Sequence, residues 1–194
     1  LIIRIKLKQE MRKLFLLICF MISLTVFGQE TEDLKKVIRI NALNPGMELE
    51  WPISKKSTIA VNPGIGIHGS YRQLEYDYLV SGVTYYISPF LDLSYKKIYN
   101  RSIRQTKGKN LDYNSGNYWG LRLLTNFKEV ESKNIYRIDD ISFDFGPTWG
   151  IQRAYGKMHL LFDVGPVYYF DTKGNRGFFP IMIQLNLGFN TKKW

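Results

Sequence analysis

Three observations predict an all-β fold, specifically an antiparallel up-and-down transmembrane β-barrel of about eight strands that follows a cleaved N-terminal signal peptide. Nearly every long segment alternates apolar and polar residues with period two, aromatic rings collect near the segment ends, and the polar faces carry acids together with bases. The 194 residues are 45% hydrophobic and 15% aromatic, which fits one domain, and 13 Tyr, 12 Phe and 4 Trp are too many for a disordered tail. A mean hydropathy of −0.20 is too polar for a helical membrane protein. The single Cys19 excludes a disulfide framework and a Cys-built zinc site, and two histidines, His68 and His159, leave little for a His-rich centre. No metal and no cofactor is expected.

The N-terminus reads as export machinery. From Met11 the chain runs through Arg12-Lys13 into an apolar stretch, Leu14 to Phe27, and then Gly28-Gln29, the pattern of a signal peptide over residues 11–28. About 14 apolar residues fall short of the ~20 that a helix needs to cross hydrocarbon. Cys19 lies mid-run behind Ile18, which does not fit a lipoprotein signal. Residues 1–10 are read as an upstream extension, and residues 29–194 as the barrel domain. Removal of the leader takes five bases (Arg4, Lys6, Lys8, Arg12, Lys13) and one acid (Glu10), so the formal charge falls from +10 to +6. That charge is spread along the sequence. Export and spreading argue against nucleic acid as a partner and favour anionic lipid headgroups.

Seven strands follow in order, roughly 36–53, 57–71, 83–96, 116–127, 140–152, 157–170 and 178–191. The first two share a near-repeat, Leu43-Asn44-Pro45-Gly46 against Val61-Asn62-Pro63-Gly64, with Ser54-Lys55-Lys56 as the hairpin turn between them. The third alternates Val83, Tyr85, Ile87, Pro89, Leu91, Leu93 and Tyr95 against Thr84, Ser88, Asp92, Ser94 and Lys96. In the fourth, Trp119, Leu121, Leu123 and Phe127 oppose Gly120, Arg122 and Asn126. The fifth runs from Ile141 to Gln152, the sixth sets Leu160, Phe162 and Val164 against His159 and Asp163, and the seventh sets Ile183, Leu185 and Leu187 against Gln184, Asn186 and Gly188. Asn100 to Ser115 reads as a basic connection with room for a short helix, and Lys128 to Asp140 as a charged loop. Single-chain barrels of bacterial outer membranes have an even strand number, so one strand is still to be found. The alternation changes phase at Ala42/Leu43 and near Arg72, and either break could be a bulge or a new strand. Pro63, Pro89, Pro147 and Pro166 count against these strands, because proline removes a ladder donor.

Alternation does not say which face is outside; content does. Glu48, Glu50, Asp92, Asp144 and Asp163 share the polar face with His68, Lys96 and Arg122, a mixture suited to a packed polar lumen. Trp51, Tyr71, Tyr85, Tyr95, Trp119, Phe127, Trp149, Tyr168, Phe170 and Phe189 lie near strand ends, where rings settle at headgroup level. An eight-stranded barrel is too narrow for a wide pore, and a monomer is expected.

The segment Ile183-Gln184-Leu185-Asn186-Leu187-Gly188-Phe189 with the terminal Trp194 resembles the C-terminal strand by which outer-membrane barrels are recognised for assembly. Together with Phe27-Gly28-Gln29, Lys107-Gly108-Lys109-Asn110, Asn114-Ser115-Gly116-Asn117-Tyr118 and Phe145 to Arg153 followed by Tyr155-Gly156-Lys157, it is similar to small, mostly uncharacterised outer-membrane β-barrel proteins of the Bacteroidota type. The resemblance implies the cell outer membrane as location, with outer-membrane lipid, lipopolysaccharide and the barrel assembly machinery as partners. It supplies no catalytic residues.

No enzyme is expected, and no catalytic, cofactor-binding or metal-binding residue is assigned. Gly64-Ile65-Gly66-Ile67-His68-Gly69 satisfies G-x-G-x-x-G, yet it lies in an alternating strand and opens no helix for a pyrophosphate. His68 and Ser70, with Glu75 and Asp77 nearby, resemble the Ser/His/acid hydrolases that deacylate lipid A on small barrels, but the Ser-Asn continuation of that family is missing. His159 reads as a strand-end polar residue. Glu48 with Glu50, and Asp139 with Asp140, are more simply lumen and loop carboxylates than acid/base pairs, and Asn100-Arg101-Ser102 is only a formal sequon. Two alternatives stand beside a structural or surface-interaction role: an exported soluble, lipocalin-like ligand-binding barrel, and the lipid A deacylase-like hydrolase.

Overall fold

The computed structural model describes residues 33–71, 83–133 and 139–193. Residues 1–32, and with them the expected leader, lie outside the described residues. The described residues are all-β. Nine strands appear in order: β1 (Val37–Asn41), β2 (Gly46–Pro52), β3 (Ser57–Tyr71), β4 (Val83–Ile98), β5 (Gly116–Phe127), β6 (Glu131–Lys133), β7 (Ile141–Tyr155), β8 (Met158–Asp171) and β9 (Arg176–Lys193). The one α-helix among the described residues, α1 (Arg101–Thr106), and a 3-10 turn over Asp112–Asn114 occupy the β4–β5 connection, where a short helix was expected.

Every pairing is antiparallel, and the order β3-β2-β1-β9-β8-β7-β5-β4 closes on itself because β3 also pairs with β4 over its whole length, from Ser57↔Lys97 to Tyr71↔Val83. Eight strands therefore make the ring. The ninth, β6, lies beside β4 beyond the end of β5. Phe90 faces Asn126, yet three residues back along β4, Ile87 faces Glu131, five residues further on, so β6 continues the line of β5 across a two-residue bulge.

Two strand readings are corrected here. The expected single strand 36–53 is two strands, β1 and β2, joined by a turn over 42–45; the phase change at Ala42/Leu43 was the missing strand boundary. The expected charged loop Lys128 to Asp140 holds β6. The second phase change, near Arg72, lies outside the described residues. The prolines are accommodated by ladder interruptions. Pro147 and Pro166 sit where β7 and β8 leave residues 146–148 and 165–167 unpaired between Phe145↔Tyr168 and Trp149↔Val164. Pro63 falls in the gap between Gly46↔Gly64 and Leu49↔Val61, so no missing N–H weakens those ladders.

Polarity is inverted relative to a water-soluble fold. Arg39, Glu48, Glu50, Asn62, Asp92, Lys96, Arg122, Gln152, Asp163, Gln184, Asn186 and Asn190 are buried inside the ring, whereas Ile59, Ile65, Leu121, Phe145, Ile183, Leu185 and Leu187 are exposed outside it. Period two forces this: on β9, Leu185 is 44% exposed while its neighbour Asn186 is 1% exposed. His159, the second residue of β8, is a polar residue at the strand end as expected, and its side chain turns inward, 2% exposed. Both chain ends of the described domain, the β2–β3 turn, the β4–β5 connection and the β7–β8 turn lie at one mouth, and the other connections lie at the opposite mouth.

Candidate functional site

The interior nearest the termini is a single charge network. Arg39, the third residue of β1, looks across the ladder to β2, where Glu48 and Glu50 share the inward face. Its guanidinium lies 2.7 Å from Glu48 Oε1 and in contact with Glu50 Oε2, and its Nε donates to Asn190 Oδ1 on β9 at 3.1 Å. Lys96 of β4 donates to Glu48 Oε1 at 3.0 Å and to Gln152 Oε1 on β7 at 3.1 Å, and Gln152 Nε2 donates to Glu50 Oε2 at 3.1 Å. Five strands are thereby tied across the lumen. Two carboxylates facing two cations, all buried, satisfy the requirement that interior charges be paired and hydrogen-bonded.

Further along the axis the links are fewer. Arg122 of β5 grips Asp92 of β4 with two bonds, Nη2 to Oδ2 at 2.8 Å and Nε to Oδ1 at 2.9 Å. Tyr118 donates to Asp163 Oδ2 at 2.8 Å, and Gly150 makes this possible, since a Cβ there would stand 2.7 Å from the Tyr118 ring. Asn126 donates to Asp144 at 3.2 Å. Between the Arg122 level and the mouth remote from the termini lies a cavity of about 150 Å³, lined by Asn44, Phe90, Arg122, Asn126, Met182 and Gln184 among others.

The mouth at the termini is closed by the β4–β5 connection. The carbonyl of Tyr113 accepts from Arg39 Nη2 at 2.8 Å and from Gln152 at 3.2 Å, and the carbonyl of Asn114 accepts from Gln152 at 3.3 Å. Asn114 exchanges side-chain bonds with the backbone of Lys35, at 2.9 and 2.8 Å. Ser115 Oγ donates to Asp112 O at 2.6 Å and accepts from the Ala154 amide at 3.0 Å. The 3-10 turn is thus fastened to the lumenal network itself. Tyr113 and Asn114 take positive φ, 51° and 60°, a conformation supported by those bonds.

Glu48, Glu50, Asp92, Lys96, Asp144, Asp163 and Arg122 stand inside the ring with their partners, as the sequence predicts. Glu48 and Glu50 are clamped by cations and form no acid/base pair. Asp163, four residues from His159 on the same face, bonds Tyr118. Asp140 lies 3.5 Å from Lys128 at the surface, and Asn100 of the sequon accepts the Asn117 amide at 2.7 Å, a structural use. The G-x-G-x-x-G stretch is part of β3 and opens no helix. His68 and Ser70 are in β3, opposite Tyr86 and Thr84, but their side chains and the whole of Glu75 and Asp77 lie outside the described residues. Among the described residues there is no cluster of three or more His, Cys, Asp or Glu side chains arranged for a metal. Sequence reading missed Arg39, although Val37, Arg39 and Asn41 share one parity, and it missed the plugging role of Tyr113 and Asn114, for which periodicity carries no signal.

Comparison of the chain with protein-family models, with curated proteins and with solved structures finds no match.

Proposed function

We propose that the protein is a monomeric outer-membrane β-barrel with a plugged lumen, serving a structural or surface-interaction role and no catalysis. The inversion of polarity carries this reading: a closed ring whose inside is charged and whose outside is Ile, Leu and Phe suits hydrocarbon around it, and a ligand-binding barrel in water needs the reverse. Among the described residues no helix is long and apolar enough to cross a membrane, whereas six strands of 12–18 residues exceed the ~9–11 that a tilted strand needs. Rings gather toward both mouths. Trp119, Trp149, Tyr99 and Tyr155 are exposed on the termini side, and Phe127, Tyr168, Phe170 and Phe178 on the other, with Phe143 and Phe170 stacked at 5.0 Å. An even-stranded ring returns both ends of the chain to one mouth, which in outer-membrane barrels faces the periplasm.

On this reading the barrel assembly machinery inserts the chain, lipid and lipopolysaccharide surround it, and the likeness to Bacteroidota-type barrels is one of kind. The test is expression of the full chain in a bacterial host, fractionation of its membranes, and gel mobility before and after boiling. Recovery in the outer membrane with faster migration unboiled is expected. A soluble protein with no mobility shift overturns the proposal.

A further inference from the structure

The bases spread along the sequence are gathered in space. The turns at 53–56 and 156–157 and the connection 99–115 all return to the termini-side mouth, and they bring Lys97, Arg104, Lys107, Lys109, Arg153 and Lys157 to it. None of these six has a carboxylate within ion-pair distance among the described residues; the nearby Asp112 is engaged by Lys193. Among the described residues the opposite mouth is different, since Lys128, Lys133, Lys173 and Arg176 stand there together with Glu129, Glu131, Asp139, Asp140 and Asp171, and Lys128 lies 3.5 Å from Asp140.

Arg104 and Arg153 form the centre of the patch. Arg104 Nη2 donates to Asn110 O at 2.7 Å, Asn110 Nδ2 donates to Ala154 O at 2.9 Å, and Arg153 Nη1 donates to Gly116 O at 2.6 Å, so Arg104 is tied through Asn110 to the residue next to Arg153, and both guanidiniums are held by backbone carbonyls. Their positive charges act on each other with only neutral partners between them. Burial lowers the Arg104 pKa below the ordinary guanidinium value, so a docked anion there would be welcome. Apolar surface is interleaved with these cations. Ile103 is 57% and Tyr155 66% exposed, Trp149 Nε1 donates to Tyr99 OH at 2.9 Å, and Lys97 Nζ stands 5.4 Å over the Trp119 ring.

We infer that this mouth is a docking surface for anionic phospholipid headgroups of the leaflet on the termini side. The inference rests on the outer-membrane reading and adds to it which leaflet is engaged and by which residues. A phosphodiester would meet the Arg104–Arg153 pair and the exposed lysines, with its glycerol and upper chain along Tyr155, Ile103 and Trp149. The surface commits to lipid because exposed apolar side chains flank the cations, which a free phosphate cannot use.

The test uses the full-length protein folded in vesicles and checked by the gel-mobility shift. Quenching of tryptophan fluorescence by brominated phosphatidylglycerol is compared with quenching by brominated phosphatidylcholine. Each base near an anionic surface is worth about fivefold in association, so phosphatidylglycerol is expected to be preferred at least about fivefold. The preference should fall toward unity in K107Q/K109Q/K157Q, whose exposed side chains leave the plug bonds intact, and in about 1 M salt, where screening acts over ~3 Å. Equal quenching by the two lipids, or an unchanged preference in the triple variant, in protein that shows the mobility shift, overturns the inference alone. Loss of the preference on adding inorganic phosphate at matched ionic strength overturns the lipid assignment in favour of a small anion. Protein that shows no mobility shift in any lipid overturns the outer-membrane reading and the inference with it.

Discussion

The lumen has two halves that solve the same problem differently. Near the termini, Arg39, Lys96, Glu48, Glu50 and Gln152 fill the space and bond directly to one another and to the plug, so that of their side-chain polar atoms only Glu50 Oε1 is buried without a hydrogen-bond partner. Toward the other mouth, Arg122 and Asp92 pair beside a cavity of about 150 Å³. A charge that is lost from the filled half strands its partners in a dry, packed interior. In the second half, solvent can replace what is removed. The burial of a charged pair therefore matters less than whether water can reach the partner left behind.

The largest effect is expected for Arg39→Met. It leaves Glu48 with Lys96 alone, removes the cation beside Glu50, and deprives the Tyr113 carbonyl of a donor, at a cost of about 3–5 kcal/mol. Urea unfolding in detergent, followed by tryptophan fluorescence and the gel shift, measures it. A loss below about 1 kcal/mol would show that the filled half is wetter than its packing implies.

Next comes the wall between the two environments. Leu185→Arg on the outward face should cost about 2–4 kcal/mol of folding into bilayers, whereas the neutral polar change Asn186→Ser, one residue on and facing inward, should cost about 1 kcal/mol. Equal losses at both positions would break the assignment of inside and outside on which the lumen comparison stands. The third effect sharpens that comparison directly. Arg122→Met should cost about 1–3 kcal/mol, less than Arg39→Met, because Gln184 Nε2 stays 3.4 Å from Asp92 and the adjoining cavity admits water. If both arginine variants lose the same amount, the cavity supplies no solvation.

Parity within each strand placed Glu48, Asp92, Lys96, Arg122 and Asp163 on one face, because a period of two admits no other arrangement once the strand is accepted. The boundary between β1 and β2 was not legible. Leu43-Asn44-Pro45-Gly46 runs through a turn into the first residue of β2, while the matching Val61-Asn62-Pro63-Gly64 lies wholly inside β3, so the same signal is spent in two ways. Tertiary pairing decides between them: Gly46 and Gly64 face each other across the ladder, and only one of the two chains can be turning there. Without that boundary Arg39 had no secure parity, and the acids Glu48 and Glu50 lacked a visible partner. The gathering of bases at one mouth was hidden for a related reason, since it depends on which connections return to the same end of the ring.

The smallest effect separates the plug from the ring that it closes. Ser115 is fully buried, and its hydroxyl both donates to Asp112 and receives the Ala154 amide, so Ser115→Ala leaves that amide without its partner. The expected cost is about 1 kcal/mol, and it falls on the connection rather than on the ladders, which keep all their backbone pairs. Global unfolding in urea should therefore move little. Opening of the connection should become about fivefold more frequent, which brief trypsin treatment reads as faster cleavage at Lys107 and Lys109 on the termini side. If cleavage is unchanged while the global midpoint drops, the plug and the ring unfold as one unit, and the filled half of the lumen owes its order to the plug rather than to its own charges.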